Sequence, residues 1–227
     1  MTRRMQKAIV KVLVVAVGVL LTACDETLEN SRVLPIVGDR DVVYKTVDGE
    51  EVADTIYHHV PEFEYLNQDS VMIKSEDLKG KIWITDFFFT RCPSICPPMT
   101  SNMKRLNENT KDLDEHVQFL SFSIDPDRDT PTTLRNYISS YSINDDNWYF
   151  FTGDEEETHL LAKEFFNGAE RNDEIAGGFG HTSYFAIVDT EGLVRGIYDG
   201  TNTDQVDQLE KDLRKLLKYE YNIYNGK

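Results

Sequence analysis

The chain has 227 residues, a formal net charge of −16 and 40% hydrophobic residues. Phosphate backbones demand a basic footprint, so a surface this acidic excludes nucleic acid as a partner. A cationic protein or a metal cation suits it better, and the length suits one domain with insertions.

Residues 1–23 read as a leader. Arg3, Arg4, Lys7 and Lys11 form a basic region without acids, an apolar run from Val12 to Leu20 follows, and Leu21-Thr22-Ala23-Cys24 closes it. That is the layout of a secretory signal, and its apolar part is shorter than the roughly 20 residues of a bilayer span. The stretch LTAC resembles a bacterial lipobox, whose cysteine becomes the lipid-modified N-terminus; an ordinary signal peptide or an uncleaved anchor stays open. With lipid on Cys24, the domain is exported and held on a bacterial membrane, outside the cytoplasm. The expected organisation is a lipoprotein-type signal over 1–23, a tether over 24–40 and a folded domain over 41–227.

In the domain, alternating residues around Asp48-Gly49 predict a hairpin over Asp41 to Val52. A short strand is expected at Phe63 to Leu66, with a turn near Asn67 to Ser70. The run KIWITDFFF, Lys81 to Phe89, suits a strand buried on both faces. After the cysteine loop comes a helix from Pro97 to Thr110, with prolines tolerated in its first turn. Val117 to Ile124 is the next strand, and the loop DPDRDTP leads into a helix from Pro131 to about Tyr141. WYFF predicts a strand and DEEETHLLAKEFF a helix with acids in its first turn, where they complement the dipole. SYFAIVD and LVRGIYD form a hairpin across Thr190-Glu191-Gly192. A final amphipathic helix carries Val206, Leu209, Leu213 and Leu216 on one stripe. Strands alternating with helices imply an α/β fold with parallel pairing and an antiparallel edge from the late hairpin. A cysteine pair between the first core strand and the first core helix points to a thioredoxin-like fold, with the N-terminal hairpin as an extension.

Of three cysteines, lipid on Cys24 leaves Cys92 and Cys96 as an isolated pair in an exported compartment, where a disulfide is permitted. Four residues of spacing set them about one helical turn apart, with both sulfurs free to face one way. A helix N-terminus favours thiolate over thiol. A structural staple is the weakest of three readings, because so short a loop restricts the unfolded chain little. A redox dithiol is stronger, yet the spacing is C-x-x-x-C, and every proline lies at or before Pro131. Nothing after that position supplies the cis-proline that thioredoxin-like oxidoreductases place beside the dithiol.

A metal site needs another donor, and five histidines are available. His116 and His159 read as solvated or packed residues. His58 and His59 are a candidate second cation site, although neighbours on a strand point to opposite faces. His181, in the glycine-rich GGFGHTSYFAIVD, sits where the fold otherwise puts its cis-proline loop, facing the first helix. Two thiolates and an imidazole select Cu(I) through soft sulfur, with an open position that admits Cu(II). Structural zinc usually takes four protein ligands.

GKIWITDFFFTRCPSICPPMT, SFSIDPDRDTP, WYFFTGDEEETHLLAKEF and SYFAIVDTEGLVRGIYDG together resemble the Sco/SenC family of copper-binding, thioredoxin-like proteins, over roughly Pro61 to Leu217. The resemblance implies a membrane-tethered copper metallochaperone with Cys92, Cys96 and His181 as ligands. Its implied partner is cytochrome c oxidase subunit II, whose binuclear copper centre it helps assemble, or another copper protein. The Cys92–Cys96 pair then also closes as a disulfide when metal is absent. Asp125 falls where the family keeps an acid near the site, and reads either as tuning thiol chemistry or metal exchange, or as a turn residue. One departure is Gly180, where the family usually has an acid before the metal histidine; such a carboxylate orients the imidazole. The alternative function is a thiol–disulfide reductase that keeps a metalloprotein's cysteines reduced.

Overall fold

The computed structural model describes residues 34–47, 50–144, 146–172 and 174–223. They fall into two compact units: one spans Pro35–Leu213 and carries the sheets and the candidate site, and Leu34 and 214–223 belong to the other. The leader, Cys24 and the first part of the expected tether lie outside the described residues. Of the expected tether, 34–40 is described, and there the Val37 amide donates to the Val194 carbonyl at 2.7 Å. Among the described residues, no helix is long and apolar enough to cross a membrane.

The expected N-terminal hairpin is present as β1 (Arg40–Val47) and β2 (Glu50–Tyr57), an antiparallel sheet of its own. Its second strand runs five residues beyond Val52, because Ile56 and Thr55 pair with Asp41 and Val42; the Asp48-Gly49 turn lies outside the described residues. β3 (Glu64–Asn67) and β4 (Met72–Lys74) follow, then β5 (Ile82–Phe88). Beyond β5 come α1 (Cys96–Asn109), β6 (Val117–Ser123), α2 (Pro131–Tyr141), β7 (Trp148–Thr152) and α3 (Glu155–Glu164). The chain then forms β8 (Ala169–Arg171), β9 (Phe179–His181), β10 (Tyr184–Val188), β11 (Val194–Asp199) and α4 (Thr203–Tyr219).

The central sheet has the order β11-β10-β5-β6-β7-β3-β4. β5, β6 and β7 are parallel, as crossovers through α1 and α2 require. The late hairpin adds β10 antiparallel to β5. The other edge is antiparallel too, since β3 pairs with β7 and with the unforeseen β4. Three residues of β4 are too few to show a period in sequence.

Every residue of β5 and β6 is buried, as a central strand covered on both faces must be. Alternation sends Phe87 and Phe88 to opposite faces. Phe87 stacks on Phe122 and meets Phe165 just after α3, whereas Phe88 meets Tyr137 of α2. Tyr137 in turn bonds Thr100 of α1 at 2.5 Å, joining the two helices. Local signals start the helices. Thr130 caps α2 by accepting the Thr133 amide, with Pro131 in the first turn. Asp154 caps α3 in the same way, through the Glu157 amide. In α4, Val206, Leu209 and Leu213 of the predicted stripe are fully buried.

Candidate metal centre

β5 ends at Phe88 and α1 begins at Cys96, so the connecting loop carries Cys92 and the first residue of the helix is Cys96. The Cys92 amide donates to the Phe89 carbonyl at 3.2 Å, closing a tight turn. The Cys92 Sγ then accepts the Cys96 amide at 3.5 Å, one of the amides that a helix start leaves without an intrahelical partner. Cys92 therefore precedes the helix. A loop, not the helical turn expected from spacing, brings its sulfur to the helix end.

The third donor comes from the far side of the sequence. The residues before Ser183 were expected to form a loop, but Phe179–His181 is a strand that pairs with β8. Three residues, one of them Gly180, were too short a run to show an alternating pattern. Its last residue points its Nε2 to 3.3 Å from the Cys96 Sγ and 3.9 Å from the Cys92 Sγ. The two sulfurs and this nitrogen all lie within 4.8 Å of one another, the one such donor group among the described residues. Both cysteines are buried free thiols.

The His181 Nδ1 lies 2.9 Å from the Thr182 carbonyl. A carbonyl only accepts, so Nδ1 carries a hydrogen and Nε2 is the ring atom turned toward the sulfurs. The Cys92 thiol is lowered to about 3, chiefly by the hydrogen bond from Cys96, with His181 and the amides of Cys96 and Ser94 assisting against burial. Cys96 is driven upward by the same bond and by burial. The pair thus holds one proton between two sulfurs, and a metal bound by both displaces it.

Aromatic walls surround the donors. The Phe89 ring stands edge-on to His181, 5.6 Å between centroids, and also meets Phe179 at 5.4 Å. Gly177, at φ +99°, lies so close that a Cβ there would stand 2.8 Å from the Phe89 Cζ and 3.3 Å from the Pro93 Cδ. Gly177 of the glycine-rich loop is therefore needed where that loop presses on the cysteine loop. On another side, a cleft of about 350 Å³ lined by Lys163, Glu170, Gly180, His181 and Thr182 opens beside the imidazole.

Asp125 stands outside the donor group. It is fully buried, and its carboxylate accepts Arg91 at 3.4 Å and Arg128 at 3.0 Å. Its carbonyl also accepts the amides of Arg128 and Asp129, as a turn residue does. Its link to the site runs through Arg91, the residue before Cys92. Gly180 pairs with Glu170 across the β8–β9 hairpin. A Cβ at position 180 would lie 3.8 Å from the Glu170 Oε1. Glu170 thus puts a carboxylate on the face where a side chain at 180 would project.

The other histidines stay apart from the donors. His58 bonds the Glu164 carbonyl at 3.0 Å and His59 the Tyr57 carbonyl at 2.8 Å. His159 is packed, its Nε2 on the Ile124 carbonyl at 3.1 Å, and His116 is half-buried. Sequence reasoning passed over Asp86, a buried acid within β5. Burial pushes it up to about 7, against the hydrogen bond from Ser121 and the charge of His181. An acid inside the apolar run ITDFFF was the available signal.

Fold and site together define a thioredoxin-like domain with a Cys–Cys–His donor set of two buried cysteines and a half-buried histidine. The sequence model of the SCO1/SenC family matches residues 51–218, and the chain belongs to that family. The SCO1 protein homolog of Bacillus subtilis (strain 168) is 34% identical over 167 residues, 73% of this chain and 86% of that protein. The crystal structure of a SCO1/SenC family lipoprotein from Bacillus anthracis str. Ames is similar with TM-score 0.64 and 34% identity, over 70% of this chain and 94% of that one. BsSco, described as a member of the Sco family of cytochrome c oxidase assembly proteins with a disulfide switch, is similar with TM-score 0.61 and 32% identity. That match covers 70% of this chain and 93% of the other.

Proposed function

We propose that the protein is a membrane-tethered copper metallochaperone. It binds one copper ion through Cys92, Cys96 and His181 and serves the assembly of the binuclear copper centre of cytochrome c oxidase subunit II. The observation that carries this reading is the convergence of two Sγ atoms and one Nε2 within 4.8 Å. Two soft sulfurs and one nitrogen favour copper over hard cations, and three donors fall short of a structural zinc set. The oxidase assignment draws on the description of BsSco as belonging to a family of cytochrome c oxidase assembly proteins. The tether through lipid on Cys24 to a bacterial membrane, with the domain in the periplasm or outside the cytoplasmic membrane, draws on the LTAC stretch and on the lipoprotein description of the Bacillus anthracis relative. Asp125 acts from beyond the ligands, through Arg91, on the ease of metal exchange. Closing the Cys92–Cys96 disulfide removes both sulfur ligands, so oxidation and copper loading exclude each other.

The experiment is copper titration of the reduced protein and of His181→Ala, recording stoichiometry and the thiolate-to-Cu(II) charge-transfer band. One copper per chain in the wild type and a large loss in the variant are expected. Equal binding by both proteins would remove His181 from the ligand set.

A second reading, a thiol–disulfide reductase for a metalloprotein's cysteines, has one observation in its favour: the contrast between a low Cys92 and a raised Cys96. A nucleophile and a resolving thiol differ in that way. That reading needs no imidazole, so oxidase assembly in cells carrying His181→Ala separates the two.

A further inference from the structure

β5 and β6 are parallel neighbours, with Phe88 opposite Ser123, so the loops that follow them start side by side. The second loop holds the first. Asp129 is fully buried, and its carboxylate accepts the Thr90 amide at 3.0 Å, the Thr90 hydroxyl at 2.5 Å and the Ser123 hydroxyl at 2.6 Å. Thr90 lies two residues before Cys92. The next residue, Arg91, is held in parallel by Asp125. Two buried carboxylates of the DPDRDTP loop thus grip the two consecutive residues that lead into the first cysteine.

We propose that Asp129 is a positioning residue, whose carboxylate fixes the Thr90-Arg91 segment and so holds Cys92 in the open arrangement beside Cys96 and His181. The proposal rests on the reading of these three residues as a copper site. In this arrangement both thiols are free. Closing the disulfide needs the sulfurs about 2.05 Å apart; it passes two electrons and the pair's one proton to an oxidant such as glutathione disulfide, which takes a second proton from water and leaves as two glutathione thiols. Cys96 belongs to α1, so the Cys92 loop is the part free to shift, and the bonds to Thr90 resist that shift. A carboxylate suits the task because it accepts all three donors at once and donates nothing. An asparagine there puts its NH₂ group either against the Thr90 hydroxyl, which must then reverse its bond, or against both the Thr90 amide and the Ser123 hydroxyl.

The test uses the full chain with Asp129→Asn, Thr90→Val and, as a control, Asp127→Asn. Asp127 is exposed in the same loop and pairs with Arg171 at 3.7 Å, away from the grip. Metal-free proteins are equilibrated in glutathione redox buffers; separately, each is loaded with Cu(II), and its charge-transfer band and rate of copper loss to a chelator are read. Asp129→Asn and Thr90→Val are expected to shift the dithiol–disulfide equilibrium about tenfold toward the disulfide, near 30 mV. They are also expected to move the band and speed copper loss, with Asp127→Asn unchanged. Folded variants with wild-type equilibrium and wild-type band would overturn the proposal. If Asp129→Asn does not fold, Thr90→Val decides, since it keeps the amide bond and the carboxylate and deletes only the hydroxyl. A wild type that takes up no copper while the variants still shift the equilibrium would sink the copper reading and leave the positioning role standing.

Discussion

The Nε2 of His181 stands 3.3 Å from the Sγ of Cys96, 85 residues away in sequence. The contact depends on the pairing of β9 with β8 and on the turn that sets Cys96 at the start of α1. Donors carried by strand and helix ends are held more tightly than donors on free loops. Only Cys92 lies on a loop, which is where the grip of Thr90 and Arg91 matters.

Alkylation should be unequal. With Cys92 lowered to about 3 and Cys96 raised, a limiting dose of iodoacetamide at pH 6 is expected to label Cys92 first. Peptide mass spectrometry of the reduced, metal-free protein reads this directly. Equal labelling would contradict the asymmetry.

Asp86 makes stability depend on pH. Its ordinary value is 3.8 and its folded value about 7, so between these the folded protein keeps a proton that the unfolded chain has shed. Its contribution to stability therefore falls as pH rises through that window and levels off above it. Asp86→Asn mimics the neutral acid and should gain on the wild type from pH 4 to pH 8, by at most about 4 kcal/mol. Denaturant midpoints of both proteins at the two pH values measure the gain.

Arg195 and Asp189 form a buried ion pair at 2.9 Å, both less than 4% exposed. Asp189 also accepts the amides of Glu191 and Leu193 and so fixes the β10–β11 turn. Arg195→Met leaves that carboxylate buried without its guanidinium and should cost about 3–5 kcal/mol. Adding Asp189→Asn should recover part of the loss. Thermal melts of the two variants decide, and copper stoichiometry well below the midpoint should stay at the wild-type level.

Two glycines near the site should behave differently on substitution. Gly177→Ala meets Phe89 at 2.8 Å in a left-handed backbone, so a cost of about 1–3 kcal/mol is expected. Because Phe89 packs on His181, a shifted copper band should accompany it. At Gly180 the nearest atom to a new Cβ is 3.5 Å away and the backbone is not left-handed. Gly180→Ala should therefore melt close to wild type. Similar losses in both variants would mean that neither crowding nor φ sets the cost.

Sequence alone determined the frame. Long buried runs such as ITDFFF and VQFLSFS, capped helices and the order of strands and helices are local signals, and they were legible because periodicity and capping act within a few residues. Cys92, Cys96 and His181 were legible as candidate donors, because few other cysteines and histidines compete, and the structure brings their donor atoms within 4.8 Å of one another. The tertiary structure decided what depends on distant pairing. β4, β8 and β9 are three residues each and exist through partners that no local pattern reveals. Asp129 read as one acid among the 40 acidic residues of the chain. Its burial and its hold on Thr90 follow from the parallel register of β5 and β6, which only the folded sheet creates.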